Sequence, residues 1–183
     1  GTGDLKVIDV SSPANPVLSG SLGVGPAPAC VAVSGNYAYV VDYGTDDLKV
    51  IDISSPATPT LIGSMGIGTS PLSLVVSGNY AYVVDTDTDD LKVIDISSPA
   101  SPVLSSSLLI GPDPRSVAVL GNHAYVVDQG SDDLKVIELF CPTAQQQLAY
   151  DPSTGAFVAV EGWQVKADTL YTLDKKVGIG TSD

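Results

Sequence analysis

The sequence predicts an all-β fold built from a 43-residue repeat of four short antiparallel strands. The segment Leu-Lys-Val-Ile begins at Leu5, Leu48, Leu91 and Leu134, and no insertion disturbs this spacing. The 18 glycines and 13 prolines interrupt the chain too often for long helices, and no long stretch has a period of 3.6 residues. Four strands in a repeat of roughly 40 to 45 residues are typical of a β-propeller blade.

Each repeat divides into four predicted strands, as the copy from residue 31 onward illustrates. Tyrosine, valine and isoleucine dominate these segments, and turn residues separate them. The Gly35-Asn36 turn favours a tight hairpin, and the prolines within 54–59 cannot donate to a strand ladder. The predicted strands are residues 31–34, 37–42, 48–53 and 60–65.

The second strand of the repeat carries apolar side chains on both of its faces. Tyr37, Tyr39 and Val41 point to one side of the sheet, and Ala38 and Val40 point to the other. A sheet that is apolar on both faces is buried on both faces. We therefore expect each blade to lie between two neighbouring blades.

The copies are incomplete at both ends of the repeat region. The first copy lacks its first two strands, and the fourth loses the pattern after Glu138, so residues 1–139 hold about three and a half blades. Closed propellers have four or more blades. The array is thus expected to be a fragment of a longer propeller, to combine with other chains, or to take strands from residues 140–183, a β-rich tail with a hairpin signal at 148–160.

Composition limits the partners of this chain. The net charge is −13 at pH 7, and 19 of the 21 acidic residues are Asp, which favours turns. Such a surface repels nucleic acid and anionic lipid and suits cations, basic partners or a salty extracellular medium. The sequence contains no run of 18 apolar residues, the length that would predict a membrane-spanning helix. The start at Gly-Thr-Gly, without Met, suggests a processed or truncated chain.

The two cysteines, Cys30 and Cys141, occupy different positions of the repeat and do not form a repeating framework. A disulfide between them and two separate thiols both remain open, because sequence alone does not give their geometry.

The repeated units resemble a known family. Gly-Asn-Tyr-Ala-Tyr-Val-Val-Asp followed by Leu-Lys-Val-Ile-Asp-Ile-Ser-Ser-Pro-Ala, over residues 4–139, is similar to the LVIVD repeat of bacterial and archaeal surface proteins. This resemblance implies β-propeller blades, a cell-surface or extracellular location and no catalytic motif.

The tail is similar to a segment of large bacterial surface proteins and tail-fibre-like proteins. The resemblance rests on Trp163, the Asp168-to-Tyr171 step and the Val-Gly-Ile-Gly-Thr run that starts at Val177. It implies a fibrous, oligomeric parent protein in which Trp163 and Tyr171 form chain-to-chain contacts.

The acidic turn after each second strand is a candidate cation site. In the copy at 85–90, Asp85, Asp87, Asp89 and Asp90 supply hard oxygen ligands from one short turn, as calcium loops do. The spacing with a closing Glu that defines the 12-residue calcium loop is absent. Solvated turns on an acidic protein remain the simpler alternative.

The copies vary most in the acidic turns and in the links between repeats. Four-stranded antiparallel topology places both sets at the same end of the strands, which suggests binding loops on a fixed scaffold; drift of unconstrained loops would look the same. The candidate binding residues are Tyr43, Asp46, Asp47, Pro71, Leu72, Asp113, Arg115, Gln129 and Asp132.

The remaining polar positions favour structural roles. Asp9, Asp52 and Asp95 each precede a Ser-Ser-Pro turn, and we expect a hydrogen bond that fixes that turn. His123, the single histidine, replaces a tyrosine of the other copies and is interpreted as a packing residue. One His and two Cys match no zinc-site spacing, and no nucleophile elbow is present.

These observations predict a non-catalytic extracellular structural or adhesive module without cofactors, calcium being the one candidate. Its expected partners are further copies of itself or another surface protein or glycan. The alternative is a ligand-binding propeller that uses its variable face for a glycan, a protein or calcium.

Overall fold

The computed structural model describes residues 3–139 in full and the backbone of 148–151 and 156–159. It is an all-β structure, as predicted, with 15 strands in this part of the chain. Sheet 1 holds β1 (Gly3–Asp9) and β2 (Val17–Gly25). Sheet 2 holds β3 (Pro28–Ser34), β4 (Tyr37–Asp42), β5 (Asp47–Asp52) and β6 (Thr60–Gly66). Sheet 3 holds β7 (Pro71–Ser77), β8 (Tyr80–Asp85), β9 (Asp90–Asp95) and β10 (Val103–Leu109). Sheet 4 holds β11 (Pro114–Leu120), β12 (His123–Asp128) and β13 (Asp133–Glu138).

Each sheet is a meander in which consecutive strands pair antiparallel. The repeat register confirms the predicted blades: β1 and β2 correspond to the third and fourth strands of sheet 2, and sheet 4 holds the first three. The first strands β3, β7 and β11 lie next to one another, so the sheets meet along their inner edges. This is the arrangement of propeller blades, with two complete four-stranded blades between a two-stranded and a three-stranded one.

The first strand of each repeat begins earlier than the apolar pattern predicts. In sheet 2 it starts at Pro28 instead of residue 31, and a bulge at Ala29 separates Pro28 from the regular ladder. Proline is tolerated at the first residue of a strand because its missing N–H costs no ladder bond there. The predicted hairpin turns are present, with Gly35, Gly78 and Gly121 at φ of 56°, 58° and 61°.

The hydrophobic core lies between successive sheets. Tyr39 and Val41 pack towards sheet 3, whereas Ala38 and Val40 pack towards sheet 1, as the alternation in the sequence predicts. We call the side of a sheet that faces the next sheet in the chain its leading face and the opposite side its trailing face. Sheets 2 and 3 are therefore buried on both faces.

The predicted tail hairpin is present in the backbone, where β14 (Leu148–Asp151) pairs antiparallel with β15 (Ala156–Ala159). Trp163, Tyr171 and Cys141 lie outside the described residues, so their predicted roles stay predictions. The thiol of Cys30 lies 3.6 Å from the carbonyl oxygen of Leu74 on the neighbouring first strand.

Candidate functional site

The acidic turns begin with an aspartate that the fold buries. Asp42, Asp85 and Asp128 end the second strands of their sheets, and their exposed fractions are 0%, 0% and 1%. The expectation of fully solvated turns is therefore wrong for these three residues. Burial arises because the link from the preceding sheet passes over the carboxylate: a side chain at Gly68, which has φ of 134°, would collide with Asp85 Oδ2.

Sheet 3 shows how the buried charge is compensated. Oδ1 of Asp85 accepts hydrogen bonds from the backbone N–H groups of Asp87 and Thr88, each at 3.1 Å. The Lys92 ammonium lies 3.4 Å from Oδ2 of Asp85, binds Asp90, and donates to Thr88 Oγ1 at 2.7 Å. We call Asp85, Thr88, Asp90 and Lys92 the acid–lysine unit; its lysine is only 7% exposed.

The equivalent residues of the neighbouring sheets form only part of this unit. In sheet 2, Lys49 binds Asp47 and donates to Thr45 Oγ1 at 2.8 Å, and the buried Asp42 is held by backbone N–H groups. In sheet 2, Asp42 Oδ1 accepts from Gly44 N–H at 2.7 Å and from the link residue Ala27 at 3.2 Å. In sheet 4, Asp128 Oδ2 has no hydrogen-bond partner, and the Lys135 ammonium lies 3.7 Å away. The fixed recurrence of Asp and Lys at 43-residue spacing is the signal in the sequence that indicates this unit.

The electrostatics of the unit favour the ionised carboxylate. Burial raises the pKa of Asp85, but the N–H groups of Thr88 and Asp87 and the positive charge of Lys92 outweigh burial, so the pKa is lowered. In sheet 4, the hydrogen bond to Asp133 raises the pKa of the Lys135 ammonium. The unit is therefore a buried ion pair held in its charged form.

The proposed calcium ligands belong to this network. Asp85 and Asp90 bind Lys92, Asp87 accepts from Ser70 Oγ at 2.8 Å, and Asp89 accepts from the backbone of Asp113 at 3.1 Å. Within residues 3–139 no three acidic, histidine or cysteine side chains converge as metal ligands do. A calcium ion at 85–90 would compete with the Lys92 ammonium, and the site stays a prediction.

The acidic turns and the links between sheets lie against each other, which is the geometry that the strand topology predicts. Tyr43 N–H donates to Ala27 O at 3.2 Å, and the equivalent bonds join Thr86 to Ser70 and Gln129 to Asp113, both at 3.1 Å. We call this end of the sheets, formed by the turns 43–46, 86–89 and 129–132 and the links 26–27, 69–70 and 112–113, the variable end.

The candidate binding residues differ in exposure at the variable end. Tyr43, Arg115, Gln129 and Asp132 are exposed, and Asp46, Asp47, Leu72 and Asp113 are half-buried. Pro71 is buried at the start of β7, so its side chain is not available for direct contact with a ligand. Arg115 is not a free loop cation: it lies in β11 and binds Asp113 at 2.6 Å.

The opposite end of the sheets is uniform. Asp9, Asp52 and Asp95 each accept a hydrogen bond from the backbone N–H of the serine two residues later, at 2.8 Å in every copy. Hydrogen bonds from the hydroxyl and the backbone of Ser54 lower the pKa of Asp52. The predicted structural role of these aspartates is confirmed.

The described array ends in two apolar sheet faces that no neighbouring sheet covers. On the leading face of sheet 4, Val127, Leu134 and Val136 are 51%, 60% and 57% exposed. Their equivalents in sheets 2 and 3 are at most 2% exposed. On the trailing side of sheet 1, Ile8 of β1 is 50% exposed and Val10, which directly follows β1, is 65% exposed. The residues equivalent to Ile8 in sheets 2 and 3, Ile51 and Ile94, are 0% exposed. The incomplete first and fourth copies indicate an open array, as predicted, but the sequence does not specify which apolar faces are exposed, because repeat position alone predicts burial.

A cavity of about 260 Å³ lies where sheet 1 has no first and second strands. It opens between β1 and β3, and mostly apolar residues line it, among them Leu5, Val24 and Val31. Val31 and Val33 of β3 are 50% and 62% exposed beside it. The trailing end of the array is therefore stepped, with an outer part on sheet 1 and an inner part on sheet 2.

The repeats match a known family model. The model described as the LVIVD repeat matches residues 1–23, 29–66, 70–109 and 112–137, which is more than half of the chain. No curated protein matches the sequence significantly. Among residues that the structure describes, no helix is long and apolar enough to cross a membrane.

Solved structures share the fold at low sequence identity. A functionally unknown protein from Desulfotomaculum acetoxidans matches with a TM-score of 0.62 at 14% identity, over 85% of this chain and 48% of that one. A Lactobacillus plantarum protein matches with a TM-score of 0.65 at 15% identity, over 88% of this chain and 51% of that one. Kuenenia stuttgartiensis hydrazine synthase matches with a TM-score of 0.54 at 17% identity, over 75% and 37%. The chain thus spans about half the length of the first two structures.

Proposed function

This chain belongs to the LVIVD repeat family, and from that premise we propose that it is a non-catalytic, extracellular structural or adhesive module that acts through protein–protein contacts. One observation supports the proposal, namely that both ends of the array formed by residues 3–139 present apolar faces, whereas the equivalent residues between sheets are buried. Exposed contiguous apolar surface of this kind marks interaction sites in soluble proteins. The net charge of −13 keeps the rest of the surface solvated and suits an extracellular medium.

The acid–lysine units support a structural role for the aspartates that they contain. A carboxylate that already binds a buried ammonium and two backbone N–H groups has little free capacity for a substrate. The polar groups of the turns thus stabilise the sheets, and the apolar faces remain for contact with other chains.

The experiment that tests this function is light scattering of the purified 183-residue chain over a range of concentrations, with and without a calcium chelator. We expect an assembly larger than the monomer in both conditions. A monomer at every concentration would refute the assembly function, and loss of the assembly on chelation would assign calcium a role at the acidic turns.

A second candidate function is ligand binding at the variable end, for a glycan, another protein or calcium. The observation that favours it is that side chains differing between the repeats lie at or beside the variable end, including Tyr43, which is 54% exposed, and the Arg115–Asp113 pair. Screening a glycan array and calcium by thermal unfolding tests it. Binding that Tyr43→Ala and Arg115→Ala weaken would support this function, and binding that both variants retain would contradict it.

A further inference from the structure

We propose that the leading face of sheet 4 binds the trailing end of a second copy of this chain, so that the LVIVD arrays associate head to tail. This inference rests on the proposed assembly function and names the surfaces that carry it. The leading face of sheet 4 consists of Tyr125, Val127, Leu134 and Val136; the trailing end consists of Ile8 and Val10 on sheet 1 with Val31 and Val33 on sheet 2.

The chain itself shows what covers a leading face. Between sheets 3 and 4, Val84, Leu91 and Val93 pack against Ala124, Val126 and Ile137. Between sheets 2 and 3, the equivalent Val41, Leu48 and Val50 pack against Ala81, Val83 and Ile94. The face that remains exposed on sheet 4 carries the same residue types, Val127, Leu134 and Val136, at the same repeat positions. Its fitting occupant is therefore the trailing side of an LVIVD sheet.

A second copy offers such a trailing side. Ile8 and Val10 occupy the repeat positions of Ile137 and Leu139, which are 8% and 7% exposed where they face sheet 3. The cavity between β1 and β3 extends the apolar surface of the trailing end from sheet 1 towards sheet 2. Every sheet-to-sheet contact within residues 3–139 joins a leading face to a trailing face. The contact is accordingly heterologous, between different surfaces of the two copies.

A complementation experiment tests the inference on the full chain. Val136→Asp places a charge on the leading face of sheet 4 in one variant, and Ile8→Asp places a charge on the trailing end in the other. Each substitution is designed to prevent binding through that surface. Alone, each variant has only one working surface, and we expect association to weaken by roughly 30-fold, as for a hot-spot residue. Mixed in equal amounts, they should form a one-to-one pair, because the leading face of the Ile8→Asp chain meets the trailing end of the Val136→Asp chain.

The matched control is Val103→Asp, which places the same charge on an exposed valine of the outer strand β10 and should leave association unchanged. Circular dichroism and thermal unfolding of each variant verify folding. Assembly that persists in both face variants would overturn this inference and leave the assembly function standing. Assembly that only one of the two variants loses would also overturn it, in favour of a contact that one face makes with the same face of a second copy. Assembly that both variants lose and the mixture does not restore would overturn it as well, because one intact leading face and one intact trailing end would then not suffice. A wild-type chain that is monomeric at every concentration would overturn both proposals. The leading face of sheet 4 would then either be covered by the 44 residues after 139 or stay in water.

Discussion

At the scale of single residues, the acid–lysine unit compensates the charge of an aspartate that the stacked sheets bury. Asp85 has no exposed surface, yet it remains charged because Lys92 and two backbone N–H groups replace its hydration. A buried ion pair adds little net stability compared with apolar packing, but its loss leaves an unpaired charge in the interior. The unit is thus a local requirement of the turn, and its recurrence at 43-residue intervals follows from that requirement.

The first prediction concerns this unit. Asp85→Ala leaves the Lys92 ammonium buried with one carboxylate fewer, and we expect the free energy of unfolding to fall by about 3 kcal/mol. Urea denaturation measures the change. Asp87→Ala is the control, because Asp87 is exposed in the same turn and should cost less than about 1 kcal/mol. Equal losses in the two variants would show that the buried pair has no special weight.

The second prediction concerns acid. The pKa values of Asp9, Asp52, Asp85 and Asp95 are lowered from 3.8 in the folded chain. A carboxyl group with a lowered folded pKa stabilises the fold above its unfolded value, and this stability is lost as the pH falls through the folded value. Stability should therefore decrease below about pH 4. In Asp85→Asn the decrease measured by urea denaturation should be shallower, and a profile parallel to that of the wild type would contradict the role of Asp85.

The sequence could not predict that the first aspartate of each acidic turn is buried. The pattern Asp-x-x-x-Asp-Asp indicates a polar turn, and exposure is the ordinary expectation for Asp. Burial of Asp85 depends on Gly68, 17 residues earlier, whose backbone passes over the carboxylate because it has no Cβ. Such a contact between two turns is not visible in local propensity, although the parallel recurrence of the Gly, Asp and Lys positions indicates a shared role.

At the scale of strands and turns, the alternation of apolar residues predicted the arrangement well. Both-face burial of β4 followed from its sequence because Tyr39 and Val41 on one side, and Ala38 and Val40 on the other, leave no polar face. The start of β3 at Pro28 did not follow, because proline and a bulge normally indicate the absence of a regular strand. Pairing with β4 overrides that local signal.

One contact between elements joins the fourth strand of a sheet to the Ser-Ser-Pro-Ala turn of the next sheet. A Cβ on Gly63 of β6 would lie 2.6 Å from the carbonyl oxygen of Pro99 and 3.0 Å from that of Ala100. Gly20 faces the carbonyl groups of Pro56 and Ala57 in the same way. Close backbone approach between sheets therefore explains the glycine at this position in the first two copies, Gly20 and Gly63, whereas the third copy has Ser106.

The third prediction tests that approach. In Gly63→Ala, the added methyl group meets backbone oxygens that cannot move independently, and we expect a loss of about 1–3 kcal/mol of stability. Gly66→Ala, in the same strand, is the control, because no other group lies within 4 Å of the point where its methyl group would sit. Thermal unfolding of both variants measures the difference. Unchanged stability in Gly63→Ala would mean that the sheets separate enough to accept a methyl group.

At the scale of the whole molecule, the described sheets form a stack in which each hydrophobic core lies between two successive sheets. Stability in such a stack is approximately a sum of sheet terms and interface terms. The repeat in the sequence predicts identical sheets, but it does not predict which faces lack a neighbour, because that depends on assembly. Leu91 and Leu134 are leucines at the same repeat position, yet the exposed fraction of Leu91 is 1% and that of Leu134 is 60%.

The fourth prediction uses this pair as an internal comparison. Leu91→Ala removes a side chain packed between sheets 3 and 4, and it should cost about 3 kcal/mol, as large-to-small core substitutions do. Leu134→Ala, measured by urea denaturation at concentrations where the chain is monomeric, should cost less than about 1 kcal/mol, because its side chain is solvated there. As protein concentration rises, the cost of Leu134→Ala should increase towards that of Leu91→Ala, since a second copy that covers sheet 4 buries this leucine. A cost that stays small at every concentration would show that the face of sheet 4 remains in water, and a cost that is large in the dilute monomer would show that the chain itself covers it.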